Sequence, residues 1–317
     1  MERIAIIGAG GFLGCHLVAL LTAQEKAVAG VSLKGLPIGI QCADWLACDL
    51  KEDTGALAAF LNRFRADSVI HLAATSFEPL AAMQPWKVIQ NNLLSTLNTL
   101  TACRQLTMRP RCVIVSSSAV YGCHGQESLP LNETRTLNPL TTYGVSKLAV
   151  EALTLQHCRA FGLPAVIVRP FNVTGPGEHA SFVTSAFARQ IARIEAGWQE
   201  PIIKVGDLST MRDFVDVRDV VRALVQVAEL GEPGEVYNVC SGVGVRIDSV
   251  VANLLKATPA AVEIRPDSSL MRPVEIQNQT GDPMKLRNAT GWEPDYTLDQ
   301  TLADVLEDWR GRIHSEA

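Results

Sequence analysis

The sequence predicts an α/β protein, a doubly wound parallel sheet interleaved with a smaller C-terminal substrate-binding lobe. Three observations lead there. Through residues 1–170, short runs rich in Val and Ile alternate with helix-length amphipathic stretches. A glycine-rich turn joins the first run to the first helical stretch. After Arg169-Pro170 the alternation loosens without any linker-like tract. Strands alternating with helices pair in parallel through right-handed crossovers, and helices cover both faces of the sheet.

The expected strands are Arg3–Ile7, Ala27–Leu33, Ser68–Leu72, Arg111–Ser116 and Ala165–Arg169, each short, apolar and bounded by Gly, Asp or Pro. The stretches 11–23, 53–64, 85–107 and 143–161 are apolar on one side and read as helices. Further on, Asp219–Glu229 and Thr301–Ile313 read as helices and Glu235–Val239 as a strand. Residues 1–170 are therefore expected to form the dinucleotide-binding domain, with elements near 213–240 and 301–313 returning to it. Residues 171–212 and 241–300 would form the lobe, and the tail 310–317 would fray.

Composition narrows the class. With 47% hydrophobic and 19% charged residues the chain is neither disordered nor supercharged. A net charge of −5 gives no basic footprint for nucleic acid. No apolar stretch is long enough for a bilayer span, and Met1-Glu2-Arg3-Ile4 leads directly into the first strand pattern. The expected setting is cytoplasmic, with neither nucleic acid nor membrane as partner. The eight cysteines form no CxxC pair and no Cys/His cluster, so reduced, buried thiols and no metal are expected.

The chemistry begins at Gly8-Ala9-Gly10-Gly11-Phe12-Leu13-Gly14. Gly8 permits the tight turn, Gly11 lets backbone approach a pyrophosphate, and Gly14 allows close helix–sheet packing. The helix N-terminus that follows offers free N–H groups to the diphosphate. Asp49-Leu50 and Leu72-Ala73-Ala74 follow later apolar runs, where an Asp can hold adenine and small residues leave room for a cofactor. The end of the second strand, Ser32-Leu33-Lys34, carries no acid to bind a ribose 2′-hydroxyl and repel a 2′-phosphate. Ser32 and Lys34 point to NADP, with NAD as the alternative.

Tyr143-Gly144-Val145-Ser146-Lys147 places a phenol and an ammonium four residues apart, on one helix face. A phenol titrates near 10 when unperturbed, and a neighbouring cation draws it toward a useful range. Lys147 would supply that charge and hold the nicotinamide ribose. Ser116-Ser117-Ser118 ends the fifth expected strand, where a hydroxyl can bond the reacting oxygen.

These pieces together resemble the extended short-chain dehydrogenase/reductases of the nucleotide-sugar-modifying group, whose sheet is Rossmann-type. The resemblance also draws on Asn92, Arg169-Pro170-Phe171-Asn172, Val205-Gly206-Asp207, Arg212-Asp213 and Gly281-Asp282, and spans nearly the whole chain. It implies Ser117, Tyr143 and Lys147 as the catalytic set, and Asn92 and Pro170 among the cofactor contacts. A nucleotide-diphospho-sugar would touch Ser117, Ser118, Asn172, Arg189, Val205, Arg212 and Arg272. Dehydratases of the group commonly carry a carboxylate just after the catalytic hydroxyl. Ser118 and Ala119 stand there instead, which speaks against dehydration. The stretches 182–192 and 285–292 resemble the group's GDP-linked 4-keto-6-deoxy-hexose reductases, of the kind that form GDP-D-rhamnose. Ala119-Val120 is more epimerase-like, so NAD-dependent 4-epimerisation stands as the alternative, and a non-catalytic NADP-binding sensor as a distant one. The resemblance further implies a homodimer through the helices 85–107 and 143–161, with Leu93, Leu97, Leu100, Leu148, Ala152 and Leu155 at hand.

Overall fold

A computed structural model describes residues 1–37, 39–76, 83–271 and 276–316. Among these residues, seven strands form one parallel sheet. They are β1 (Arg3–Ile7), β2 (Ala27–Ser32), β3 (Asp44–Ala47), β4 (Ser68–His71), β5 (Arg111–Val115), β6 (Ala165–Pro170) and a late strand, β10 (Val236–Val239). Their order across the sheet is β10-β6-β5-β4-β1-β2-β3. The reversal on either side of β1 is the switch point of a doubly wound sheet, and ligands bind beyond its strands' carboxyl ends.

Side-chain alternation sorts each strand onto two faces. Ile4, Ile6, Val113, Val115, Val166 and Val168 enter one apolar cluster, with α1 (Phe12–Ala23) and α6 (Val217–Leu230). Ala5, Ile7, Cys112, Ile114 and Ala165 enter the other, with α2 (Thr54–Phe64), α3 (Pro85–Gln105) and α4 (Thr142–Phe161). Burying an aliphatic side chain of this size contributes about 1.5–3 kcal/mol. This alternating set is the main source of the sheet's stability. The edge strand β3 was not among the expected strands: its burial is only partial, so it lacks the continuous apolar run of its neighbours.

The lobe has its own core. β7 (Asn172–Thr174), α5 (Val183–Glu195), β8 (Ile202–Val205) and β9 (Met211–Asp216) come first. β11 (Gly244–Arg246), α7 (Ile247–Lys256), β12 (Glu263–Pro266) and β13 (Asn278–Gln279) follow β10. β9 is the hub of the small sheet, pairing with β7, β11 and β13. α8 (Met284–Thr290) then returns to the main sheet, where Leu286 and Trp292 are fully buried.

Four expectations are corrected here. The last helix, α9 (Leu298–Glu316), does not return to the main sheet: Leu302, Val305, Leu306, Trp309 and Ile313 pack with α5 and α7 in the lobe core. Its tail does not fray, because Arg310 pairs with Glu195 at 2.7 Å and Ile313 is buried. Leu100 lies in this chain's own core, not on a face available to a second copy. Cys123 is an exposed thiol, against the expectation of buried ones.

Candidate active site

The glycine turn sits at the carboxyl end of β1. Gly8 has φ +91°, and a Cβ there would lie 2.8 Å from the Ala73 nitrogen, so the residue is fixed both by conformation and by the close approach of the β4 loop. Gly11 is the N-cap of α1, and no side chain caps that end. The first N–H groups of the helix thus lack intrahelical acceptors and are fit to meet a diphosphate. Phe12 packs edge-on against His16, and Leu13 packs against the core, so both would bind through backbone N–H groups.

Around this turn the other expected cofactor residues gather at neighbouring strand ends. Ser32 lies beside Gly10 and donates its hydroxyl to the Lys34 carbonyl at 2.5 Å, and Lys34 is exposed. Asp49 accepts the Lys51 N–H at 3.0 Å, and Leu50 is core. Leu72 donates its N–H to the Ile7 carbonyl, Ala73 lines the turn and Ala74 is exposed. Pro170 closes β6 against Val239.

Asn92 is tied to two other segments of the chain. It is buried; its amide donates to Ser146 at 2.9 Å and to the Thr75 carbonyl, and accepts the Thr75 N–H at 2.7 Å. Its polar atoms are engaged by protein, so it holds the β4 loop against α4.

The expected catalytic set lies on α4 and at the end of β5. Thr141 caps α4 by accepting the Gly144 N–H, which starts the helix one residue before Tyr143. A Cβ on Gly144 would lie 2.6 Å from the Ala119 carbonyl oxygen, so the serine turn and the first turn of α4 are in direct contact. Lys147 is buried and donates Nζ to the Val115 carbonyl at 2.7 Å, with the Tyr143 ring centroid 6.0 Å from the ammonium. Burial lowers the Lys147 pKa to about 8, and the Glu151 charge partly opposes it. His71, between the hydroxyls of Thr96 and Thr99, is pushed to about 3 by burial and by the Lys147 charge, so it is neutral.

The three serines divide by burial and partner. Ser116 is buried and donates to Glu151 at 2.5 Å. Ser118 is buried, and its carbonyl accepts from Gln279. Ser117, half-buried, accepts the Ala119 N–H at 3.1 Å and keeps its hydroxyl proton for a substrate oxygen.

Beneath Lys147 lies a polar chain that sequence reading missed. Glu151 continues the row of Tyr143 and Lys147, and Arg169 donates to both its oxygens, at 2.8 and 2.7 Å. Arg169 also donates to Tyr121 Oη, which donates to Asn238. The four-residue spacing 143–147–151 was the available sign.

Expected substrate residues fare unevenly. Asn172 opens β7 and Arg212 lies on β9, both half-buried at the lobe junction. One guanidinium nitrogen of Arg212 donates to the Met211 and Ile276 carbonyls. Val205 is core, and its carbonyl accepts the Asp267 N–H, so it offers substrate no side chain. The Arg189 guanidinium stacks on Trp309 of α9, 5.8 Å from the ring centroid, and not on a junction residue. Arg272 lies outside the described residues. Among the described residues no cluster of His, Cys, Asp or Glu is suited to a metal, and no helix is long and apolar enough to cross a membrane.

The sequence profile of the GDP-mannose 4,6 dehydratase family matches residues 5–305. The chain belongs to that family. Within it, the chain is 38% identical to GDP-6-deoxy-D-mannose reductase of Pseudomonas aeruginosa, over 99% of both chains. It is 26% identical to GDP-6-deoxy-D-talose 4-dehydrogenase of Aggregatibacter actinomycetemcomitans, over 98% of both. Among solved structures, RMD of Pseudomonas aeruginosa complexed with NADPH superposes with a TM-score of 0.85 at 37% identity, covering 98% of this chain and 100% of that one. The Thermus thermophilus UDP-glucose 4-epimerase bound to NAD gives the same TM-score at 27% identity, covering 98% and 99%. The family fold and its oxidoreductase architecture are thus those of this chain.

Proposed function

We propose that this family member reduces the C4 ketone of a GDP-linked 4-keto-6-deoxy-hexose with NADPH, forming a product of the GDP-D-rhamnose type. One observation carries the reading: the turn that bears Ser117 touches the first turn of α4, the helix that bears Tyr143 and Lys147, and the serine turn holds Ser118 and Ala119 where dehydratases commonly carry a carboxylate. Full-length similarity to a GDP-6-deoxy-D-mannose reductase supports the same choice. NADPH supplies the hydride when bound, and the uncapped α1 terminus and the glycine cradle suit its diphosphate. Tyr143 gives its phenolic proton to the oxygen left on C4. Ser117 donates a hydrogen bond to that oxygen, where negative charge develops. Lys147, held by the Val115 carbonyl, keeps a positive charge beside the phenol and lowers the cost of its proton loss. Asn172 and Arg212 would face the diphosphate and nucleotide, so a chain of net charge −5 would meet its anionic substrate with a local cation.

The domain division supports this reading. Residues 1–170 with α6 and β10 would bind cofactor, and the lobe built on β9 would bind the nucleotide sugar. We further propose a cytoplasmic homodimer through the exposed sides of α3 and α4, where Ala152 is accessible.

Tyr143→Phe should lower turnover of GDP-4-keto-6-deoxymannose by at least about a thousandfold, with NADPH affinity held within about threefold. Wild-type turnover by the variant would overturn the assignment. A second reading, NAD-dependent 4-epimerisation, draws on Ala119-Val120 and on the epimerase folds that superpose. Tightly bound NAD released on denaturing the purified protein, with no NADPH consumption, would favour it.

A further inference from the structure

The turn that carries Ser117 is held from two sides. On one side Ala119 rests on Gly144 of the catalytic helix. On the other, Gln279 of β13 donates Nε2 to the Ser118 carbonyl at 2.9 Å. That carbonyl also accepts the Tyr121 N–H at 3.0 Å, the bond that closes the turn after Ser117. Gln279 is 6% exposed, so removing its donor would leave a buried acceptor underserved.

β13 is only two residues long, and its place is set by pairing with β9, where Gln279 lies opposite Arg212. Arg212 in turn donates to the Ile276 carbonyl, three residues before Gln279. A group that engages Arg212 therefore acts on the same short segment whose next side chain grips the serine turn.

We propose that Gln279 is a positioning residue which couples nucleotide occupancy at Arg212 to the orientation of Ser117. The inference rests on the nucleotide-sugar reading above. Binding of the nucleoside diphosphate fixes the β9–β13 pair, and the Gln279 amide passes that order to the Ser118 peptide. Ser117 then meets the sugar oxygen with its hydroxyl directed, without Gln279 touching substrate.

The test uses Gln279→Leu, which keeps the bulk and removes the donor, and Gln279→Glu, which sets a carboxylate against a carbonyl. Both are first checked for wild-type melting temperature and NADPH affinity, and whichever folds is carried forward. Gln279→Leu should reduce kcat about tenfold with KM for the keto sugar within twofold, and Gln279→Glu should reduce it further. In a Ser117→Ala background the same change should cost less than twofold, because the group it positions is gone. A rise in KM with kcat unchanged, or an equal loss in both backgrounds, would overturn the proposal.

Amide hydrogen exchange with GDP gives a readout independent of turnover. In the wild type GDP should slow exchange in both 276–281 and 116–122; in Gln279→Leu it should slow only 276–281. Equal protection of 116–122 in the variant would overturn the coupling alone. Protection of neither segment in the wild type would overturn the nucleotide reading, and the coupling with it.

Discussion

Two glutamates, one on the inner side of α4 and one at the lobe junction, are equally hidden at 3% exposure, yet their surroundings are opposite. Glu151 faces Arg169 through two charge-assisted bonds and receives a third from Ser116. The carboxyl of Glu178, between β7 and α5, receives among the described residues only the hydroxyls of Thr174 and Thr184, at 3.0 and 2.7 Å. Arg312 donates to the Glu178 backbone carbonyl, not to its carboxyl, and pairs with Asp308 at 2.7 Å. His16 reaches the loop only at the Pro176 carbonyl. Burial accordingly pushes the Glu178 carboxyl to about 7, with the two threonine hydroxyls opposing the rise. On α4 the buried carboxylate is matched by a buried guanidinium; at the junction a carboxyl is left to titrate near neutrality.

The contrast is broken most directly at its matched end. Glu151→Ala should cost about 3–5 kcal/mol in urea unfolding, because Arg169 is left buried without its counter-charge. A cost below about 1 kcal/mol would mean that the pair is better solvated than its burial indicates.

The unmatched end should respond with the opposite sign. Folding raises the Glu178 pKa from 4.5 to about 7, so between these values the folded chain holds a proton that the unfolded chain has released. Its contribution is complete below about pH 4.5 and is lost as pH rises through about 7. Glu178→Gln should therefore match the wild type near pH 4 and exceed it at pH 8 by about 3 kcal/mol. Stability curves that stay parallel from pH 4 to 8 would refute this.

A smaller effect sharpens the link between the matched pair and catalysis. Lys147 should lose its charge as pH rises through about 8, so kcat/KM for NADPH should fall on an alkaline limb there, about tenfold by one unit beyond. Since the Glu151 charge supports the ammonium, Glu151→Gln should move that limb to lower pH. An unmoved limb would assign it to another group. The smallest expected change lies far from both carboxylates: Lys34→Ala should raise KM for NADPH about three- to fivefold, the size of an exposed charge contact, and leave KM for NADH unaltered.

Much of this arrangement was legible from residues alone. The main strands and the glycine turn follow from local rules, since buried parallel strands read as short apolar runs and a turn at φ +91° selects glycine. The Tyr143/Lys147 pair follows from helical spacing. What remained hidden depends on where distant segments meet. Glu151 finds Arg169 only because β6 lies beside β5 and beneath α4, and Gln279 finds Ser118 across the whole C-terminal half of the chain. The amphipathic pattern of α9 declares an apolar face but not which core it joins, so its place in the lobe had to be seen. Arg189 and Val205 were assigned by resemblance, whereas the exposed Arg189 guanidinium lies over Trp309 and the lobe core takes up Val205.

The path of the chain has a practical corollary. It leaves the main sheet after Pro170, re-enters it at α6 and β10, departs to β11, comes back with α8 and ends in the lobe with α9. Sugar specificity thus cannot be transplanted from a relative as one contiguous cassette: a working chimera would need a junction at every return, each preserving a strand register. Nor would one proteolytic nick release a free lobe, because the fragments would stay threaded through a common scaffold.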